Sequence, residues 1–189
     1  THAAVRYEPR ADVNSLYTVR QQVCITQAWC AATGSGVDVA LIDSGVSPVP
    51  GLDSSRVING PDLSFESNNT DLRYRDTFGH GTHMAGIILG RDSGATLDAS
   101  DKTSFVGMAP SSRLVSLKVA DARGATDVTQ VLAAIDWVVA HRNDRGMNIR
   151  VLNLSFGTAS TQSYQDDPLA QAAAAATANG TTQATSPGN

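Results

Sequence analysis

No stretch of this 189-residue chain is apolar for long enough to cross a bilayer, which takes about 20 consecutive residues in a helix. Basic clusters are missing too: 14 Lys and Arg are scattered among 18 Asp and Glu, for a formal charge of −4. Without a patch to neutralise phosphates, nucleic acid is not expected as a partner, and neither is a membrane. Charged residues make up only 17% and hydrophobic residues 41%, which suits an ordinary globular domain and not a disordered chain. There is no internal repeat and no linker between two cores, so one domain is expected over residues 1–189. The opening Thr1-His2-Ala3-Ala4 has no signal-peptide pattern; the mature form of a secreted chain would look the same, since that segment is removed.

Cysteine is scarce. Cys24 and Cys30 are the whole complement. Within one regular helix, positions six apart lie roughly 9 Å apart along the axis, too far to bridge. Thr26 is read as a helix N-cap, which would put Cys24 outside the helix and Cys30 in its second turn. A local disulfide and two buried thiols both remain open.

What is present alternates between strand and helix. The first twenty-odd residues are polar, a short helix is predicted from Gln27 to Ala32, and residues 33–36 form a turn. Val37 to Ile42 is an apolar, β-branched run of the kind found in a buried parallel strand, ending at Asp43-Ser44-Gly45. Residues 47–78 are rich in Pro, Gly, Ser and Asn and read as a long surface excursion. A helix is predicted from His80 through Leu89, a loop over 91–103, and a strand over 113–119. Asp127 caps a helix whose Val128, Val131, Leu132, Ile135, Val138 and Val139 follow a helical repeat. Ile149 to Leu154 is another buried strand, and Asp167-Pro168 opens a helix over Leu169 to Ala178. This order predicts an α/β fold with a mostly parallel central sheet, helices on its faces and right-handed crossovers.

In such sheets the reactive groups gather at the carboxyl ends of the strands. Asp43 stands at one such end, although an Asp before Ser-Gly is by itself an ordinary turn residue. Gly79-His80-Gly81-Thr82-His83-Met84-Ala85-Gly86 is more telling. Histidine is the usual general base at neutral pH, and glycines on both sides let backbone and substrate approach it closely. His80 and His83 do not make a zinc helix, which needs histidines four apart and a glutamate between them.

Val39-Ala40-Leu41-Ile42-Asp43-Ser44-Gly45-Val46, followed by His80-Gly81-Thr82-His83-Met84-Ala85-Gly86, resembles the aspartate and histidine signatures of the subtilisin-like serine proteases. The order, with the histidine 37 residues after the aspartate, fits that family. Leu117-Lys118-Val119, Gly124 and Ile135-Asp136-Trp137 resemble the strand, loop and helix that follow in it. Val151-Leu152-Asn153-Leu154-Ser155-Phe156-Gly157 resembles its substrate-pairing strand, and Gly180 to Asn189 resembles the strand that ends on the oxyanion asparagine.

The resemblance implies a three-layer fold and a secreted endopeptidase. In it Asp43 orients His80, His80 relays the serine proton, and Asn189 donates to the oxyanion. Extended protein or peptide substrate would lie beside Gly124-Ala125 and Ser155-Phe156-Gly157. No cofactor is needed for catalysis, and structural calcium is common in the family, but no contiguous ligand pattern places a metal. Asp136-Trp137 is assigned to packing. Asn68-Asn69-Thr70 and Asn179-Gly180-Thr181 match glycosylation acceptors.

Two departures stand out. The family's nucleophile lies in a Gly-Thr-Ser-x-Ala motif at the start of a later helix, and no such motif occurs here. The expected partner is therefore the remaining C-terminal part of the same domain, with the last strands and the serine. Residues 181–187, Thr-Thr-Gln-Ala-Thr-Ser-Pro, are also poorly suited to a central strand. The rival reading is a noncatalytic subtilase-like module that holds peptides in the same groove.

Overall fold

The computed structural model describes residues 8–98, 100–155, 157 and 163–185. In chain order the elements are α1 (Leu16–Gln22), α2 (Ile25–Ala28), β1 (Asp38–Asp43), β2 (Val57–Asp62), α3 (His80–Leu89), β3 (Arg113–Lys118), α4 (Val128–His141), β4 (Ile149–Leu154), α5 (Pro168–Ala178) and β5 (Thr182–Thr185). Among the described residues the strands form one sheet in the order β2-β3-β1-β4-β5, and every pairing in it is parallel.

The alternation of side chains along β1 divides the core in two. Ala40 and Ile42 face one way and, with Val115, Leu117, Leu152 and Leu154, pack under Val131, Ala134, Ile135 and Val138 of α4 and Ala176 of α5. Val39 and Leu41 face the other way, where Leu114 joins them under Ala85 and Leu89 of α3. Helices on both faces of a parallel sheet make three layers. Burying each large aliphatic side chain contributes about 1.5–3 kcal/mol, so β1, buried along its whole length, is the spine of both layers.

Helix ends follow their sequence signals. Asp127 and Gln130 form a full capping box on α4, and Asp167 accepts from Leu169 and Ala170 ahead of Pro168 on α5.

Four expectations need correction. The polar opening holds α1, capped by Ser15. Its Arg20 is 2% exposed and stacks over Tyr17 and Trp29 at 5.7 and 5.3 Å, so a residue that reads as surface serves as packing. The next helix starts earlier than predicted, at Ile25, because the chain reverses at Cys24 in a left-handed conformation (φ 54°) and re-enters helix at once. Cys24 and Cys30 are both free and exposed; the helical turn between them holds them apart, and no apolar neighbour covers either. The excursion after residue 47 contains β2, an edge strand that accommodates Pro61.

The polar run near the end does form a strand, β5, where Thr182, Ala184 and Thr185 are exposed and Gln183 reaches back to Ala173 of α5. The second glycosylation match is occupied structurally: Asn179 Nδ2 donates to Ala175 O at 2.8 Å and the Thr181 hydroxyl, in a buried residue, to Ala176 O at 2.7 Å.

Opposite the carboxyl edge, Asp38 is fully buried. It takes two bonds from Arg113, both at 2.7 Å, and one from the Asn148 N–H at 2.7 Å, tying the starts of β1, β3 and β4 together. Bidentate Arg–carboxylate pairs of this kind are strong. Replacing Asp38 with Ala should lower the unfolding free energy by about 2–3 kcal/mol, read as a reduced urea midpoint with unchanged slope.

Candidate active site

The parallel register brings the ends of three strands to one edge. Asp43 is opposite Lys118, and Ile42 opposite Leu154, so Ser155 follows directly beside Asp43. Asp43 is 5% exposed, and His80, the first residue of α3, meets it. His80 Nδ1 lies 2.8 and 2.9 Å from the two carboxylate oxygens. An ionised carboxylate can only accept, so Nδ1 carries the proton and Nε2 is left free to exchange one. The His80 side chain keeps 39% of its surface.

This meeting requires glycine. A Cβ on Gly81 would stand 2.1 Å from the Gly45 carbonyl oxygen, and one on Gly45 (φ +99°) would be 2.8 Å from the Tyr74 oxygen. Only bare backbone lets α3 come this close to the end of β1.

Two residues not singled out from sequence lock the arrangement. The Ser44 N–H donates to Asp43 at 2.8 Å, its hydroxyl donates to Asp76 at 2.8 Å, and the same oxygen accepts the Gly81 N–H at 2.9 Å. Asp76 also takes the N–H groups of Phe78, Gly79 and Thr82 at 3.1, 2.6 and 2.7 Å. It thereby caps α3, whose own N-cap, Gly79, has no side chain to do so. Burial alone would raise the Asp76 carboxyl, but the bonds from Thr82, Gly79 and Ser44 outweigh it and hold it below the usual carboxylate range. The available signal was an Asp three residues before the helix N-cap, Gly79.

His80, Phe78, Val119, Ala120, Gly124 and Ser155 line a shallow, mostly apolar cavity of about 140 Å³ beside the Asp43–His80 pair. Phe78 forms one wall. Its ring rests on Gly124 (φ +74°), where a Cβ would fall 2.8 Å from it. Of the residues assigned from sequence, Asp43, His80, Gly124 and Ser155 thus share one cavity. Ser155 Oγ accepts from Asn153 Nδ2 at 2.6 Å, and Gly157 is exposed.

Ala125 follows Gly124, but its N–H goes to the Asp121 carboxylate at 3.1 Å and its carbonyl takes the Asp121 N–H at 3.0 Å. Its N–H is therefore already committed within the loop. Phe156 and Asn189 lie outside the described residues.

Beneath this edge sits a cation that sequence reading left as a plain strand residue. The Lys118 ammonium, 1% exposed, donates to Glu66 Oε2 at 2.6 Å and to the carbonyls of Arg75 and Leu72 at 2.6 and 3.2 Å. Glu66 Oε2 also accepts the Thr77 hydroxyl at 2.7 Å, and Oε1 the Ala122 N–H at 3.2 Å. Burial would raise the Glu66 carboxyl, yet Lys118 and Thr77 hold it below its ordinary value.

No group of three His, Cys, Asp or Glu converges on a metal-sized site among the described residues. His83 is exposed and the Nδ1 of His80 is engaged. In the loop after α3, Asp98 and Asp101 accept from the loop's own N–H groups at Ser100, Thr96, Thr103 and Ser104.

A buried carboxylate holding a histidine at the carboxyl edge of a parallel sheet is an arrangement chemically suited to activating a nucleophile. The subtilase family model matches residues 34–189, and the chain belongs to that family. It is 33% identical over 153 residues to the minor extracellular protease Epr of Bacillus subtilis (strain 168), covering 80% of this chain and 20% of that protein. It is 37% identical over 131 residues to a subtilisin of Bacillus pumilus, covering 66% of this chain and 38% of the relative. The crystal structure of a cold adapted subtilisin-like serine proteinase matches 82% of this chain and 47% of its own, with a TM-score of 0.59 at 26% identity. The matched part of the chain thus spans 20%, 38% and 47% of these three proteins.

Replacing Asp76 with Asn should destabilise the protein by about 1–2 kcal/mol at pH 7, the lower range for a partly exposed acceptor. A depressed carboxyl stabilises the fold above its unfolded value, here 3.8, and that contribution fades as pH falls through the folded value. The difference between wild type and variant in urea unfolding should accordingly shrink below pH 3.8.

Proposed function

We propose that this chain carries the acid and base of a secreted serine endopeptidase. The carrying observation is the Asp43–His80 contact at 2.8 Å beside an open apolar cavity. In this reading His80 Nε2 takes the proton of a serine hydroxyl as it attacks the peptide carbonyl, and returns it to the departing amine. Asp43 fixes the tautomer that leaves Nε2 basic and stabilises the imidazolium formed on the way. The serine would come from sequence beyond these 189 residues, in keeping with the share of its relatives that the chain spans. Asn189 would donate to the oxyanion.

Substrate would enter as an extended strand between Gly124 and the Ser155–Gly157 segment, with one apolar side chain in the cavity walled by Phe78. The N–H groups of Gly124 and Ala125 are both bonded to Asp121, so pairing on that side would use the Gly124 carbonyl. Action outside the cell is supported by the relative named as an extracellular protease; among the described residues no helix is long and apolar enough to span a membrane.

A serine-directed fluorophosphonate should label the full-length protein, and His80→Ala should cut peptide hydrolysis by at least about 10⁴-fold. A full-length protein that binds extended peptides but is neither labelled nor hydrolytic would be a peptide-holding module, and the enzymatic reading would fall.

A further inference from the structure

The buried Glu66–Lys118 pair has no part in the proton relay, yet its hydrogen bonds lead to both walls of the cleft. Lys118 is the last residue of β3 and lies opposite Asp43 in register. Its ammonium draws the loop before α3 down onto the sheet through Glu66 and the carbonyls of Leu72 and Arg75. Glu66, with its side chain 13% exposed, then divides its remaining acceptors. One bond comes from the hydroxyl of Thr77, the residue before Phe78. The other comes from the N–H of Ala122, two residues before Gly124.

Phe78 and Gly124 are the walls that touch across the cavity mouth. From these contacts we propose that Glu66 is a positioning residue, setting the spacing of the two walls and thereby the grip of the cleft on an extended polypeptide. An ion pair serving stability alone needs only the contact between its two charges. Here both carboxylate oxygens also hold a group one or two residues from a cleft wall, at bonds strengthened by the charge they carry.

Losing the carboxylate frees both walls while leaving Asp43, Ser44, Asp76 and His80 with all their mutual bonds. The effect therefore belongs on binding of substrates long enough to touch both walls, not on proton transfer.

The inference rests on the peptidase reading and is tested with the full-length protein on two substrates. One is a fluorogenic peptide with four residues on the acyl side of the scissile bond. The other is p-nitrophenyl acetate, too short to reach the Gly124 loop. Glu66→Ala should raise KM for the peptide about tenfold with kcat within about twofold, and leave ester hydrolysis within about twofold. Thr77→Val removes one arm without unpairing Lys118, so it keeps the test valid if the first variant folds poorly; it should raise peptide KM about threefold.

Equal losses on ester and peptide in both variants, in step with a fall in Tm, would make Glu66 a stabilising residue only and sink the proposal, as would an unchanged peptide KM in both. A wild-type protein inert to both substrates and to fluorophosphonate is a different failure. It would overturn the peptidase reading and this inference with it.

Discussion

The site depends on a contact between two pieces of bare backbone. Where Gly81 faces the Gly45 carbonyl, even a methyl group would sit at 2.1 Å from the oxygen, far inside any tolerable separation. That contact fixes the depth at which the start of α3 meets the end of β1, and with it the reach of His80 to Asp43. Ser44 and Asp76 do not create the approach; they hold it. Each satisfies N–H groups that the first turn of a helix leaves without partners.

The parallel sheet explains why everything else converges there. In parallel pairing the strands share direction, so β1, β3 and β4 end together at Asp43, Lys118 and Leu154. One edge then holds the carboxylate, a buried cation and the start of the Ser155 segment, and the other holds the Asp38–Arg113 clamp. The clamped edge secures strand alignment, which leaves the opposite edge free to end in glycine-rich turns. Division of stability and chemistry between the two ends of a sheet is general to open α/β folds.

The elements readable from sequence are those whose pattern is repetitive or punctuated. The apolar run into Asp43 made β1 visible, the Asp127 cap with its helical repeat made α4 visible, and the glycines around His80 marked the start of α3. What escaped was structure held by single long-range contacts. Arg20 looks like surface until Tyr17 and Trp29 close over it. In β2, Gly60 and Pro61 break the strand pattern, yet Val57, Ile58 and Asn59 still pair with β3. Ser44 and Asp76 are ordinary loop residues in sequence, 32 positions apart, and their hydroxyl–carboxylate bond has no local trace. The cysteines fell outside both anticipated outcomes because the turn between them is helical yet lies at the surface.

Three carboxylates lie at or beneath the same edge, and their surroundings divide the work between them. Asp76 faces backbone N–H groups and the hydroxyls of Ser44 and Thr82, so it is a cap. Glu66 faces the buried Lys118 ammonium, which is 1% exposed and shared with the Arg75 and Leu72 carbonyls, so it is a strut. Asp43 faces Ser44 on one side and, on the other, a ring that can itself gain and lose a proton. Of the three, only Asp43 has a histidine for a partner. Under the proposed peptidase function that partner brings Asp43 into acid–base chemistry; Asp76 holds the start of α3, and Glu66 ties the loops that lead to Phe78 and Gly124.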